Sequence, residues 1–210
     1  MYFESTFALF LEEIVNDRST FEESVMEMTR RQILLLVSLA ALAVQVGTKN
    51  GVAAQGSVSQ AIRDACQNTL RPDVCIFILS SDPRSRDRKY PGQLAYLATL
   101  LSNEKGKESL NHISDLQKQT TDPYLKKVLN YCHDRYELGP VGHTSTALEH
   151  LNDGDHNLAA QSLSDCVAKV DECDHIFRIP PYPPSVLAET DEVMNKYCYV
   201  ALELVNSLGN

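Results

Sequence analysis

The feature that most constrains this chain is its cysteine set: Cys66, Cys75, Cys132, Cys166, Cys173 and Cys198, an even number. No Cys-x-x-Cys pair occurs and no two histidines stand at metal-ligand spacing, which sets thiol-redox and zinc chemistry aside. Upstream of all six, Ile33–Val44 is an apolar run preceded by Arg30 and Arg31. It is too short to span a bilayer comfortably and has the length of a signal-peptide core. Val52-Ala53-Ala54 before Gln55 reads as a peptidase site, giving a signal peptide over 26–54 that starts at Met26 or Met28. The other reading of the run is an uncleaved signal anchor, but no stop-transfer pattern follows it. Residues 1–25, rich in acids, do not resemble a signal n-region and read as an overlong translation start or a disordered extension. An even cysteine count behind a secretory signal is a disulfide framework in an extracellular domain over 55–210. Spacing alone leaves the pairing open.

That domain reads as helices. Leu94, Leu97, Ala98 and Leu101, continuing to Leu110, Ile113 and Leu116, recur at three and four residues, one apolar face of a long helix. Asp122-Pro123 supplies a cap and a first-turn proline, and Leu125, Val128, Leu129, Cys132 and Tyr136 form the next stripe. After Ala147, Leu148 and Leu151, the run Asn152-Asp153-Gly154-Asp155 is a turn. Leu158, Ala159, Leu163, Cys166, Val167, Val170 and Cys173 mark a further helix, and Val193–Leu208 the last. Pro180-Pro181-Tyr182-Pro183-Pro184 is a stiff connector between them. Four amphipathic helices with short links pack as an up-down-up-down bundle, preceded by two short helical pieces around Cys66 and Cys75. The fold class is all-α.

Hydrophobic residues are 43% of the chain, enough for a substantial core. The net charge is −9, which disfavours nucleic acid and anionic membrane surfaces as partners. The absence of Trp and the low aromatic content argue against a platform for stacking bases or sugars. No Asn-x-Ser/Thr sequon is present, so N-glycosylation is not expected.

Catalysis finds little support. Cys132-His133-Asp134 names a nucleophile, a base and an acid, but neighbouring helical residues diverge by about 100°, so they do not gather on one substrate. His150, Asp153, Asp155 and His156 lack the order of a calcium loop and read as a solvated turn. There is no Gly-x-Ser-x-Gly and no phosphate-cradling glycine loop. Residues 84–89, Arg-Ser-Arg-Asp-Arg-Lys, read as a solvated loop, with a contact role as the minority reading. Neither a cofactor nor a metal is expected, and the chain is not read as an enzyme.

Three segments carry a more specific pattern. Ile62-x3-Cys66-x2-Thr69-x2-Pro72-x2-Cys75-x3-Leu79 places a proline between two helical turns, and a bridge across it would lock a helical hairpin. Cys132-His133-Asp134-Arg135-Tyr136 and Cys173-Asp174-His175-Ile176-Phe177 follow on the bundle. Together with Ser80-Ser81-Asp82-Pro83-Arg84-Ser85, Thr121-Asp122-Pro123 and Gly154-Asp155, these resemble the plant pectin methylesterase inhibitor and invertase inhibitor family over residues 57–208.

The resemblance implies a disulfide-stabilised four-helix bundle with an N-terminal helical hairpin, bridged Cys66–Cys75 and Cys132–Cys173. It implies a secreted protein of the plant cell wall, or apoplast, that covers the substrate cleft of pectin methylesterase in a one-to-one complex. The helices carrying the third and fourth cysteines supply much of the covering face, which marks Asp134 and Tyr136 as partner-binding candidates. Tyr136 equally reads as a core aromatic, and Asp134 as solvated. Cys166 and Cys198 lie outside the four cysteines of the pattern; a third bridge and two buried thiols are both open, and the hypothesis is that they pair.

Two departures from the pattern bear on activity. Leu138-Gly139-Pro140-Val141-Gly142 interrupts a segment that is helical in the family, and proline in a helix interior costs roughly 3 kcal/mol. The helix is therefore expected to break near Gly139, inside the expected contact face. Ser164-Asp165-Cys166 replaces a small-residue stretch. The Gly-Asp turn is followed by His156-Asn157-Leu158 rather than the Pro-Lys-Phe of many invertase inhibitors, which favours pectin methylesterase over acid invertase as target. A reading of another class is a non-inhibitory secreted helical binding protein.

Overall fold

The computed structural model describes residues 58–180 and 184–209. The signal peptide, the extension before it and Pro181-Tyr182-Pro183 of the connector lie outside the described residues.

Several helices start where the sequence supplies a side-chain cap or a first-turn proline. Ser59 accepts a hydrogen bond from the Ile62 amide at 3.3 Å to open α1 (Gln60–Cys66). Pro72 takes the first position of α2 (Pro72–Ser81), where its missing N–H is no loss. The Cys66–Cys75 bridge closes the hairpin, with Cα atoms 5.6 Å apart. A short 3₁₀ turn, Pro83–Ser85, leads to α3 (Pro91–Gln119). Asp122 caps α4 (Pro123–Tyr136) through the amides of Tyr124 and Leu125, at 2.8 and 3.3 Å. The chain then runs without interruption through a wide π-turn segment, Glu137–His143, into α5 (Thr144–Asn152). Gly154 turns the chain with φ +79°, a conformation that favours glycine, and Asp155 caps α6 (His156–Ile176). The last helix is α7 (Ala188–Asn206).

Four rods result: α3, the continuous α4–α5 rod, α6 and α7. Each packs on its neighbours in sequence, and α7 closes the ring against α3. All described regular structure is helical, in an up-down-up-down bundle with an appended hairpin. The core has two parts. Near the hairpin, Ile62, Leu79, Leu94, Leu97, Leu163 and Leu204 are buried together. At the other end, Ile113, Leu129, Tyr136, Val170, Leu187 and Met194 form a second cluster around Cys132, Cys166, Cys173 and Cys198. Two bridges cross this second part: Cys132–Cys173 joins α4 to α6 with Cα atoms 4.8 Å apart, and Cys166–Cys198 joins α6 to α7 at 6.4 Å. No cysteine is left free.

The expected break near Gly139 does not occur. Proline removes one amide and its ring collides with the carbonyl four residues back, which an α-helix cannot accommodate without distortion. A π-turn widens the coil at that point and keeps it helical. The surroundings of the turn are built for it. Gly106 on α3 faces Pro140 so closely that a Cβ there would lie 2.6 Å from the Pro140 carbonyl oxygen. Gly139 faces α6, where a Cβ would come within 2.5 Å of the Lys169 Cβ. Side chains also bond the carbonyls of the turn. Asn103 Nδ2 donates to Val141 O at 2.9 Å, Thr144 Oγ1 to Pro140 O at 2.6 Å, and Ser145 Oγ to Val141 O at 2.8 Å. The buried polar residues Ser102, Asn103 and Thr144 are therefore tied to this turn or to helix carbonyls rather than left as gaps in the core.

Candidate docking face

The Cys132–Cys173 bridge draws α4 and α6 together, and the glycine at 139 lets the π-turn lie directly on α6. The surface above this seam is the candidate docking face. Arg135 reaches from α4 to Glu172 on α6 at 3.2 Å, and Lys169 also pairs with Glu172 one turn away. The Arg135 guanidinium stacks 4.6 Å over the Tyr131 ring. Hydrogen bonding from Lys169, reinforced by Arg135, holds the Glu172 carboxyl below the ordinary glutamate range. This network fixes the side chains at the seam. Beside it, Asp134 is three-quarters exposed and Leu138 about half exposed, at 75% and 49%. The face thus offers an exposed carboxylate, 4.0 Å from His133 Nδ1, and an exposed apolar side chain on a braced backbone. Such a surface loses little conformational entropy when a partner covers it.

The structure separates the two candidate contact residues. Asp134 points to solvent, whereas Tyr136 is completely buried and its hydroxyl donates to Asp191 Oδ1 at 2.6 Å. The environment of Tyr136 is therefore that of a core aromatic. Burial, with Asp191 beside it, raises its phenol above the ordinary tyrosine range, so it remains protonated.

His133, Asp134 and Glu137 converge: one potential ligand atom from each lies within 4.8 Å of the others. Their spacing explains this. Residues i, i+1 and i+4 form a triangle on a helix, because the last sits beside both of the others. The trio is open to solvent at Asp134 and Glu137. Adjacent residues thus can approach, contrary to the simple 100° argument, but Cys132 is committed to a disulfide and offers no nucleophile. His150, Asp153, Asp155 and His156 do not form such a group among the described residues; Asp155 caps α6 and Asp153 ends α5.

Comparison with known proteins bears on what a face of this kind does. The family described as "Plant invertase/pectin methylesterase inhibitor" matches residues 60–204. The chain belongs to that family. It is a family of enzyme inhibitors rather than enzymes. A pectinesterase inhibitor of Actinidia deliciosa is 28% identical over 147 residues, covering 70% of this chain and 78% of the relative. The Arabidopsis thaliana protein "Cell wall / vacuolar inhibitor of fructosidase 2" is 27% identical over 146 residues, covering 69% and 77%. The fold is that of a solved pectin methylesterase inhibitor from Arabidopsis, a mutant form matched with a TM-score of 0.60 at 22% identity, over 70% of this chain and 97% of that one. A second Arabidopsis structure matches at a TM-score of 0.53 with the same identity, over 71% and 97%.

Sequence reasoning reached Asp134 through the motif around Cys132. It missed Arg135, Lys169 and Glu172, which are ordinary surface charges until the bridge places α4 beside α6. It also missed Asn103 and Gly106. A polar residue and a glycine three apart within the apolar stripe of α3 are the signal that something unusual packs there.

Proposed function

We propose that this protein is a secreted inhibitor of pectin methylesterase, acting in the plant cell wall by laying the α4–α6 seam over the enzyme's substrate cleft in a reversible one-to-one complex. The observation that carries this reading is the braced seam itself. A disulfide, a close glycine contact and an ion-pair network lock two helices so that Asp134 and Leu138 stand on a rigid face. The π-turn matters here. It keeps the rod continuous through Pro140, so the departure from the helical pattern leaves the face intact.

Likeness to a pectinesterase inhibitor supports the choice of target, as does the His156-Asn157-Leu158 sequence after the Gly154-Asp155 turn. Secretion agrees with the disulfide framework, since such bridges persist in oxidising compartments. No helix among the described residues is long and apolar enough to cross a membrane.

The test is a single preparation of the secreted protein titrated against pectin methylesterase and against acid invertase. The expected result is loss of pectin methylesterase activity near equimolar ratio, with invertase untouched. Inhibition of invertase alone reverses the target. Inhibition of neither returns the protein to the class of non-inhibitory binding proteins.

A further inference from the structure

The segment after the hairpin concentrates positive charge in an acidic protein. Arg84, Arg86, Arg88 and Lys89 fall within six residues of a chain with a net charge of −9. Their roles divide sharply. Arg84 is used internally: its guanidinium bonds Asp82 on the preceding turn at 2.8 Å and both carboxylate oxygens of Glu104 on α3, at 2.8 and 2.7 Å. Hydrogen bonding to Arg84 holds both carboxyls below their ordinary ranges, so this knot stays charged. Ser85 is buried beneath it and donates to Asp82 O at 2.8 Å. The far end is fixed as well, because the Gln93 side chain accepts the amides of Lys89 and Tyr90 at 3.1 and 3.4 Å.

Between these anchors, Arg86 and Lys89 are exposed and Arg88 half-buried. The side chains of these three residues make no ion pair or hydrogen bond among the described residues. The one acid within the stretch is Asp87. Unpaired cations on a surface are ordinary when the chain holding them is loose. Here specific bonds fix both ends of a four-residue segment and leave its cations free.

We propose that Arg86, Arg88 and Lys89 form a docking strip for a linear polyuronate bearing free carboxylates, the kind of polymer that removal of methyl esters from pectin leaves behind. The choice of ligand rests on the function proposed above. Two of the three cations are arginines, whose planar forks match carboxylates in paired hydrogen bonds. Three cations within four residues, held in consecutive turns, suit a linear polyanion. The protein's general acidity repels such a polymer elsewhere, which confines contact to the strip. A methyl-esterified unit carries no charge, so binding strengthens as esters are removed. The inhibitor is thereby retained where its target has already acted.

The experiment is co-sedimentation of the secreted full-length protein with polygalacturonate, with highly methyl-esterified pectin and with heparin, in the absence of any enzyme. Expected is retention by polygalacturonate and by heparin, itself a linear polyanion carrying uronate carboxylates, little by esterified pectin, and release in ~0.5 M salt, where the screening length falls to a few ångströms. Joint replacement Arg86→Ser, Arg88→Ser and Lys89→Ser should weaken polygalacturonate binding at least about tenfold while leaving the melting temperature and enzyme inhibition unchanged. Absence of binding by the native protein, equal binding to all three polymers, or an unaffected triple variant overturns the proposal. So does a triple variant that loses inhibition while the native protein ignores polygalacturonate, since the strip then contacts the enzyme. Because the binding assay contains no enzyme, failure of polymer binding and failure of inhibition are read separately.

Discussion

Tyr136 on α4 and Asp191 on α7 share a buried hydrogen bond of 2.6 Å across the bundle. Asp191 is 2% exposed and its second oxygen lies 3.8 Å from Cys173 Sγ, against the bridge that joins α4 to α6. A carboxyl in such a place resists ionisation. Burial pushes Asp191 up to about 7, and the carboxylates of Asp174 and Asp171 add to the effect, while the bond from Tyr136 opposes it. In a mildly acidic medium Asp191 is therefore neutral, and the pair is an uncharged link among three helices.

Asp191 therefore contributes more stability in mild acid than at neutrality, opposite in sign to the paired carboxyls of Asp82, Glu104 and Glu172, whose contributions are lost only as pH falls through the carboxylate range. The folded-state pKa of Asp191 lies above its ordinary value of 3.8, so the unfolded chain releases this proton first. The contribution is fully present below about pH 4, declines as pH rises, and is lost by about pH 7. Urea unfolding of the native protein from pH 4 to pH 8 should show a fall of a few kcal/mol. Asp191→Asn removes the titration, so the same series should be flatter across that window. An equally steep fall in the variant would assign the dependence to other groups.

Tyr136→Phe isolates the hydrogen bond from the ring. The aromatic packing remains, but Asp191 loses its buried donor, at a cost of about 1–3 kcal/mol. Because that bond lowers the Asp191 pKa, its loss should also move the pH-dependent fall to higher pH. A variant with reduced stability and an unshifted profile would separate Tyr136 from the titration.

The helix count, the caps at Asp122 and Asp155 and the core stripes were legible in the sequence because each depends on residues close together in the chain. Pro140 shows where that stops. Local rules assign it a helix break, yet its effect is decided by Gly106 and Asn103, more than thirty residues earlier, on a different rod. Asp134 was legible through its motif, whereas Tyr136 could be assigned to core or contact only once Asp191 was placed opposite it. The Arg135–Glu172 contact likewise had no local signature, since it exists only because two helices are cross-linked.

Gly106→Ala tests the accommodation of the π-turn. The added Cβ would lie 2.6 Å from the oxygen and 2.8 Å from the carbon of the Pro140 carbonyl, both backbone atoms that cannot rotate away. α3 and the α4–α5 rod must move apart, for a loss of about 1–3 kcal/mol in urea unfolding. Gly92→Ala is the control, because nothing lies within 4 Å of its Cβ position. Equal effects at the two sites would show that the loss comes from helix propensity or the unfolded chain rather than from the close approach.

Removing the central bridge should affect both stability and inhibition. Cys132 and Cys173 are 41 residues apart, and a loop of that length corresponds to about 4 kcal/mol in the chain-entropy treatment. Cys132→Ala with Cys173→Ala should lower the melting temperature and weaken inhibition even at temperatures where the variant is folded, because the seam is no longer held shut. Native secreted protein should show no alkylatable thiol by intact mass without reductant, reflecting all three bridges. Two labelled sites at Cys166 and Cys198 would contradict the third.

The docking face itself is tested most directly by Asp134→Ala and Leu138→Ala. Both side chains are exposed and neither takes part in the Arg135–Glu172–Lys169 network, so surface truncation should change stability by less than about 0.5 kcal/mol. If the seam covers the enzyme's cleft, each replacement should raise the inhibition constant, and the pair together should raise it about tenfold or more, as expected when central contacts of an interface are removed. Lys126→Ala and Lys127→Ala, exposed near the other end of α4, should leave inhibition unchanged. A result in which the lysine replacements abolish inhibition and the seam replacements do not would move the contact to the start of α4 and away from the bridge.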